Sequence, residues 1–365
     1  MSPAKLTLEK AAITLGFVPL TDCALLVVAK ERGLFAAEGL QVSLSREPSW
    51  ANVRDKVALG LLDGAHMLAP MALALTLGVG SDPTPMAAPM ALNVNGSSLG
   101  VSTALFDSMP PASDLTGAAL KQALDRRRAE GKAPAAFAVV FPHSLHAYML
   151  RHWLAQAGVD PDADVRITVV PPPRMPERVA AGDIDGFCVG APWGGAIEAS
   201  GAGRMLLHGA QFWPGAPDKV LGVTGAWAEA HPQTLQALLR ALIRAAVWSD
   251  APENEAELAA LLARPEYLYV PAAALGRALS KANPFGLRFH AGGAGWPRRE
   301  HALWLFSQMR RWGQVGPGGA AAAEAVCRPD LYAQAAAAAG VAVAEPAALA
   351  PFYDGSVFDP SEVGD

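Results

Sequence analysis

Cysteine is scarce: Cys23, Cys188 and Cys327 are the three in 365 residues, and they stand far apart with no C-x-x-C pair. That pattern excludes a disulfide framework and a zinc knuckle, and each cysteine reads as a small buried hydrophobe in a reducing compartment. Charge is thin as well, with 17% charged against 52% hydrophobic residues and a net charge of −5. The first two figures exclude disorder, and the third argues against a nucleic-acid surface, which needs clustered Lys and Arg. The densest basic run, Arg126-Arg127-Arg128, has Asp125 and Glu130 beside it and reads as a solvated helix face. No apolar run is long enough for a membrane span. AHMLAPMALALTLGVG, residues 65–80, holds His66 and Pro70. It stops short of the roughly 18–20 apolar residues required and reads as a buried helix. A secretory signal is missing too: Glu9 and Lys10 stand where its apolar core would run, so a cytoplasmic protein is expected.

Motifs of catalysis are equally absent. There is no G-x-S-x-G elbow, no P-loop, no H-E-x-x-H, and no G-x-G-x-x-G after the first strand-like segment. VGAPWGG is glycine-rich but lacks phosphate-loop spacing, and Cys188 lies in an apolar strand, a poor place for a thiolate. The weight shifts from catalysis toward binding.

What is present is alternation. AITLGFVPL reads as a strand, CALLVVAKERGLFAAEG as a helix stopping at Gly39, LQVSLSR as a strand, and ANVRDKVALGLLDG as a helix. The pattern returns in AAFAVVFP, SLHAYMLRHWLAQAG, VRITVVPPP, RMPERVAAGD and IDGFCVGAPW. Such alternation predicts α/β layers with mostly parallel sheets. Two blocks and two crossings predict two lobes with a ligand cleft between them. Residues 1–105 plus 216–365 form the first lobe, with a helical C-terminal part, and residues 106–215 the second. The final stretch, EPAALAPFYDGSVFDPSEVGD, reads as a loosely held tail.

Three places stand out. FPHSLHAYMLRHW puts His143 and His146 at a helix opening, where unpaired N–H groups and the helix dipole favour an anion. The H-x-x-H pair lacks a third ligand, so metal is not expected there. In SREPSWANVRDK, Ser49 is a plausible N-cap and Trp50 offers an indole N–H, a donor without an acceptor. APDKVLGV puts Lys219 on the segment returning to the first lobe.

Read together, GFVPLTDCALLVVAKERGLFAAEGL, PSWANVRDKVALGLLDGAHMLAPM, FPHSLHAYMLRHWLAQAGVDPD, VVPPPRMPERVAAGDIDGFCVGAPW, PDKVLGV and CRPDLYAQAA resemble the nitrate- and bicarbonate-binding family of ABC-transporter solute receptors. The likeness runs in order from about residue 12 to about residue 335. It implies an α/β, two-lobed periplasmic-binding-protein fold of the second topological class, holding an oxyanion between lobes without a cofactor or metal. By position it implies ligand contacts from Trp50, His146, Gly190 and Lys219, with Ser97 (or Ser98) in NVNGSSLGVS replacing a family glutamine. Lys219 favours nitrate or nitrite over bicarbonate. The pocket expected is dry and donor-only, neutralised by one ammonium.

Signal-less members of this family resemble the cytoplasmic nitrate/nitrite sensor of the NasS–NasT system. The resemblance therefore implies a non-enzymatic regulator of nitrate assimilation that sequesters a NasT-like RNA-binding antiterminator until the anion binds. The alternatives are a receptor delivering nitrate to an ABC permease and, from another class, an enzyme like the thiamine-pyrimidine synthases.

Overall fold

The computed structural model describes residues 7–111, 117–344 and 347–364. Among the described residues ten strands form two five-stranded sheets. The first, ordered β2-β1-β3-β10-β4, comprises β1 (Ala12–Phe17), β2 (Gln41–Arg46), β3 (Gly64–Leu68), β4 (Met86–Val94) and β10 (Pro217–Thr224). The second, ordered β7-β6-β8-β5-β9, comprises β5 (Ser97–Ser102), β6 (Ala135–Val139), β7 (Val165–Val169), β8 (Gly186–Gly190) and β9 (Gly203–His208). Helices cover the sheets, giving a two-lobed α/β molecule of the periplasmic-binding-protein type.

In each sheet four of the five strands run the same way, as the alternation predicts, and one is reversed. The strands built from alternating β–α segments pair in parallel, β1 with β2 and β3, and β6 with β7 and β8. The strands that arrive from the other lobe, β10 and β5, pair antiparallel to their neighbours. A chain that crosses and returns feeds its strand in from the opposite end, which the alternation alone does not reveal.

The first crossing lies between β4 and β5, at Asn95 and Gly96, about ten residues before the boundary expected at 105/106. Both take left-handed backbone, φ 66° and 91°, and a Cβ on Gly96 would lie 2.9 Å from Leu287 Cγ. Asn-Gly is the turn chemistry that places the crossing there. The second crossing runs through the short helix Gly209–Phe212 and Gly215.

The apolar run at 65–80 is part strand and part helix. It enters as β3 and turns at Pro70 into the helix Ala69–Leu77, whose first seven residues are all buried. Proline suits the first turn of a helix, because its missing N–H would have no partner there. Among the described residues no helix is long and apolar enough to cross a membrane.

A helical layer, including Pro232–Asp250 and Arg299–Arg311, completes the first lobe and also touches the second. Tyr148 Oη, on the second-lobe helix Leu145–Gln156, donates to Gln314 Oε1 at 2.7 Å. Nearby, the Arg151 guanidinium lies 5.3 Å from the Trp312 ring centre.

The tail is not loose. Phe352 is buried against Phe212, Trp213 and Trp304 with ring centres 4.7–5.7 Å away. Trp213 Nε1 donates to Ala350 O at 3.0 Å, and Tyr353 N to Phe212 O at 2.9 Å. Two adjacent aromatics in APFYDG thus pin the chain end to the second crossing. Phe352→Ala is expected to destabilise the fold by about 3 kcal/mol, read as a lower urea midpoint. A midpoint equal to wild type would show that the tail is dispensable.

Candidate anion-binding site

Where the lobes meet, ionic and polar side chains form one continuous chain of contacts. Lys219 sits on β10 opposite Leu68 of β3, and its ammonium is fully buried. Lys219 Nζ donates to Asp218 Oδ1 at 2.5 Å and lies 2.8 Å from Asp22 Oδ2. Asp22, in the turn after β1, holds His66 Nε2 of β3 through its other oxygen at 2.7 Å. From the second lobe, Ser97 Oγ donates to Asp218 Oδ2 at 3.0 Å and lies 3.2 Å from His146 Nε2. The order is therefore His66, Asp22, Lys219, Asp218, Ser97, His146, and it bridges the lobes.

Trp50 walls the cluster. It begins the helix Trp50–Ala58, capped as the sequence suggested by Ser49, whose Oγ accepts from Asn52 N at 3.3 Å. Its ring centre lies 5.7 Å from Lys219 Nζ and 5.3 Å from the His66 ring centre. His146 is in the first turn of its helix, capped by Ser144, which accepts from Ala147 N at 3.1 Å. Gly190 of β8 faces Ser97 across the ladder. A Cβ there would lie 2.7 Å from Leu20 Cδ2 and 3.5 Å from His146 Nε2, so only glycine lets the two lobes approach this closely. Thr21 N donates to Ala191 O at 2.9 Å and Trp193 Nε1 to Pro19 O at 3.0 Å, closing the seam.

All five residues singled out in the sequence thus come together. Ser97, not Ser98, belongs to the cluster, since Ser98 Oγ donates to Val189 O. Yet the hydroxyl of Ser97 gives its one proton to Asp218, so it is not a free donor. Three ionisable partners were missed: Asp22, His66 and Asp218. Each is a lone polar residue in an apolar stretch, TDCALL, GAHMLAP and APDKVLG, and burial of such a residue is the signal that would have found it.

The site is therefore not donor-only. Two carboxylates accompany the ammonium because an unpaired buried Lys would lose its proton. Burial works against the charged form of Asp22, but Lys219 and His66 overcome it and hold the carboxyl well below its usual range. Burial likewise opposes the Lys219 charge, and Asp218 and Asp22 reverse the effect, raising its pKa. Burial holds His146 down to about 4, helped by Lys219 and opposed by Asp218 and Asp22.

Several buried polar atoms have no partner among the described residues, and four of them, Trp50 Nε1, Thr21 Oγ1, His66 Nδ1 and His146 Nδ1, belong to this cluster or adjoin it. Such orphans call for a ligand or water. No group of three or more His, Cys, Asp or Glu among the described residues is placed to hold a metal. Burial pushes the Cys23 and Cys188 thiols up, so neither supplies a thiolate.

A model of the NMT1-like family matches residues 7–263. The chain belongs to that family. Within it the chain stands with the nitrate- and bicarbonate-binding proteins. It is 33% identical over 378 residues to the nitrate/nitrite binding protein NrtA of Synechococcus elongatus, covering 96% of this chain and 84% of NrtA. It is 36% identical over 374 residues to the bicarbonate transport ATP-binding protein CmpC of Synechocystis, covering 96% of this chain. It spans about half of CmpC's length, 54%. The crystal structure of the periplasmic nitrate-binding protein NrtA from Synechocystis superposes with a TM-score of 0.89 at 29% identity, covering 98% of both chains.

Removing the ammonium leaves two buried carboxylates facing each other. Lys219→Ala is expected to cost about 3–5 kcal/mol at pH 7. The carboxyl pKa values in the variant then lie above their unfolded values, so the lost stability returns as pH falls through them. Urea unfolding at pH 7 and pH 5 checks this. A deficit that is equal at both values would separate Lys219 from the acidic pair.

Proposed function

We propose that this chain binds nitrate or nitrite between its lobes and presents it to the membrane permease of an ATP-driven importer. The observation that carries the reading is the buried ammonium of Lys219 on the lobe seam, beside the unpartnered indole N–H of Trp50. A flat, delocalised monoanion matches one charge, several hydrogen-bond donors and an aromatic wall. Charge-assisted bonds of roughly 1.5–3 kcal/mol each are enough for micromolar affinity.

The importer role takes precedence over the regulatory one. The relatives described above are named as binding proteins or transport components, and none of them is named as a regulator of a NasT-like antiterminator. The cytoplasmic address is tied to the regulatory role, and cell fractionation separates the two: protein outside the inner membrane supports the receptor. Nothing in the cluster suggests turnover, since its thiols are protonated and buried, so the reading is non-enzymatic.

Calorimetric titration with nitrate and with nitrite tests the ligand. Wild type is expected to bind at least one of them at micromolar concentrations, and Lys219→Ala neither. Absence of heat and of thermal stabilisation with both anions would sink the proposal.

The charge of the cluster adds a pH dependence. A bound monoanion adds one negative charge beside the carboxylates of Asp22 and Asp218, and uptake of one proton by His146 offsets it. Its free pKa is about 4, so at neutral pH the proton must come from solvent. Nitrate affinity is then expected to fall as pH rises from 6 to 8, by up to about tenfold per unit. Flat affinity over that range would mean that no proton is taken up.

Asp218 and Asp22 favour a second reading, bicarbonate. Both carboxylates are acceptors, and the hydroxyl of bicarbonate can donate to one, which nitrate cannot do. Competition between the anions in one titration ranks them.

A further inference from the structure

Behind β10 lies a partly open cavity of about 260 Å³ between β4, β10, the helices Ala69–Leu77 and Arg299–Arg311, and the chain at 347–350. Leu73, Ala88, Ala91, Ala302, Leu305 and Val326 give it an apolar lining. Protein interiors keep few spaces larger than a water molecule, and ligand sites are characteristically apolar chambers with a few placed polar groups.

The placed group is Arg298. Its side chain is 13% exposed, and its closest acid is Glu300, with Nε to Oε2 at 3.8 Å. The buried Nε has no hydrogen-bond acceptor among the described residues. A guanidinium withdrawn from water needs a counter-charge with hydrogen-bonding oxygens, and a carboxylate matches its fork. Asp218 and Lys219 also reach the lining, but they neutralise each other. His301, on the same wall, is held by burial at about 3 and carries no charge at neutral pH. The long ion pair of Arg298 with the half-exposed Glu300 thus leaves the buried Nε free for an acceptor inside the chamber.

We propose that this cavity is a second binding site, for a small organic monocarboxylate whose apolar body fills the chamber and whose carboxylate pairs with Arg298. Nitrate lacks the apolar body that the lining calls for. The cavity shares β10 with the anion cleft, and its 347–350 wall is tied to Trp213 in the second crossing. Occupancy is thus placed to couple to the cleft, and any such coupling is reciprocal.

The test is calorimetric titration of the nitrate-free protein with benzoate, and with benzyl alcohol as the uncharged analogue of similar shape. Saturable benzoate binding in the millimolar range or tighter is expected, with none for benzyl alcohol. Arg298→Gln should weaken benzoate at least about tenfold, and Ala302→Leu, which fills the chamber without touching charge, should abolish it while the protein still melts cooperatively. No saturable benzoate binding, equal binding of the alcohol, or binding that survives both substitutions would overturn the proposal. Because nitrate is absent throughout, none of these results depends on what the cleft binds.

Discussion

The structure turns on one ammonium held between two carboxylates. Lys219 and Asp218 are neighbours on β10 while Asp22 follows β1, and the 2.8 Å contact of Lys219 with Asp22 is made with β10 lying beside β3 in the sheet. That placement exists only because the chain leaves the first lobe and returns to it. Buried ion pairs of this kind add little to net stability, since desolvation consumes most of their attraction. What they supply is a fixed geometry: Asp22 orients His66, and Asp218 receives the hydroxyl of Ser97 and so ties the second lobe to the first.

Much of this was legible beforehand. The alternating segments correspond to strands and helices, and the first helix-rich segment ends at Gly39 with left-handed backbone, φ 81°. Ser49 caps the Trp50 helix as its hydroxyl and position suggest. Lys219 is picked out by the family resemblance, since a lone lysine in a Pro-rich connection reads as solvated on its own. The two-lobed architecture is now established, and family membership is too.

The remainder was hidden for identifiable reasons. Asp22 matters through His66, 44 residues on, and the far more distant Lys219, and Asp218 through Ser97, 121 residues away, and the adjacent Lys219, and a lone acid in an apolar run carries no local pattern. The antiparallel entry of β5 and β10 depends on which lobe each comes from, not on periodicity. Phe352 and Tyr353 stand amid polar and small residues, so only the facing Phe212 and Trp213 show that the chain end is packed.

The grip of Gln314 on Tyr148, with Arg151 over Trp312, bears on how an ion gets in. Two-lobed proteins joined only by their crossing strands gape by bending there, on microsecond to millisecond timescales. Here the helical layer of one half also clasps the other half's helix away from the crossings. A wide gape must first slip that clasp. Passage by swinging a few side chains aside needs no such release, and traffic through a narrow, side-chain-gated throat is the natural consequence.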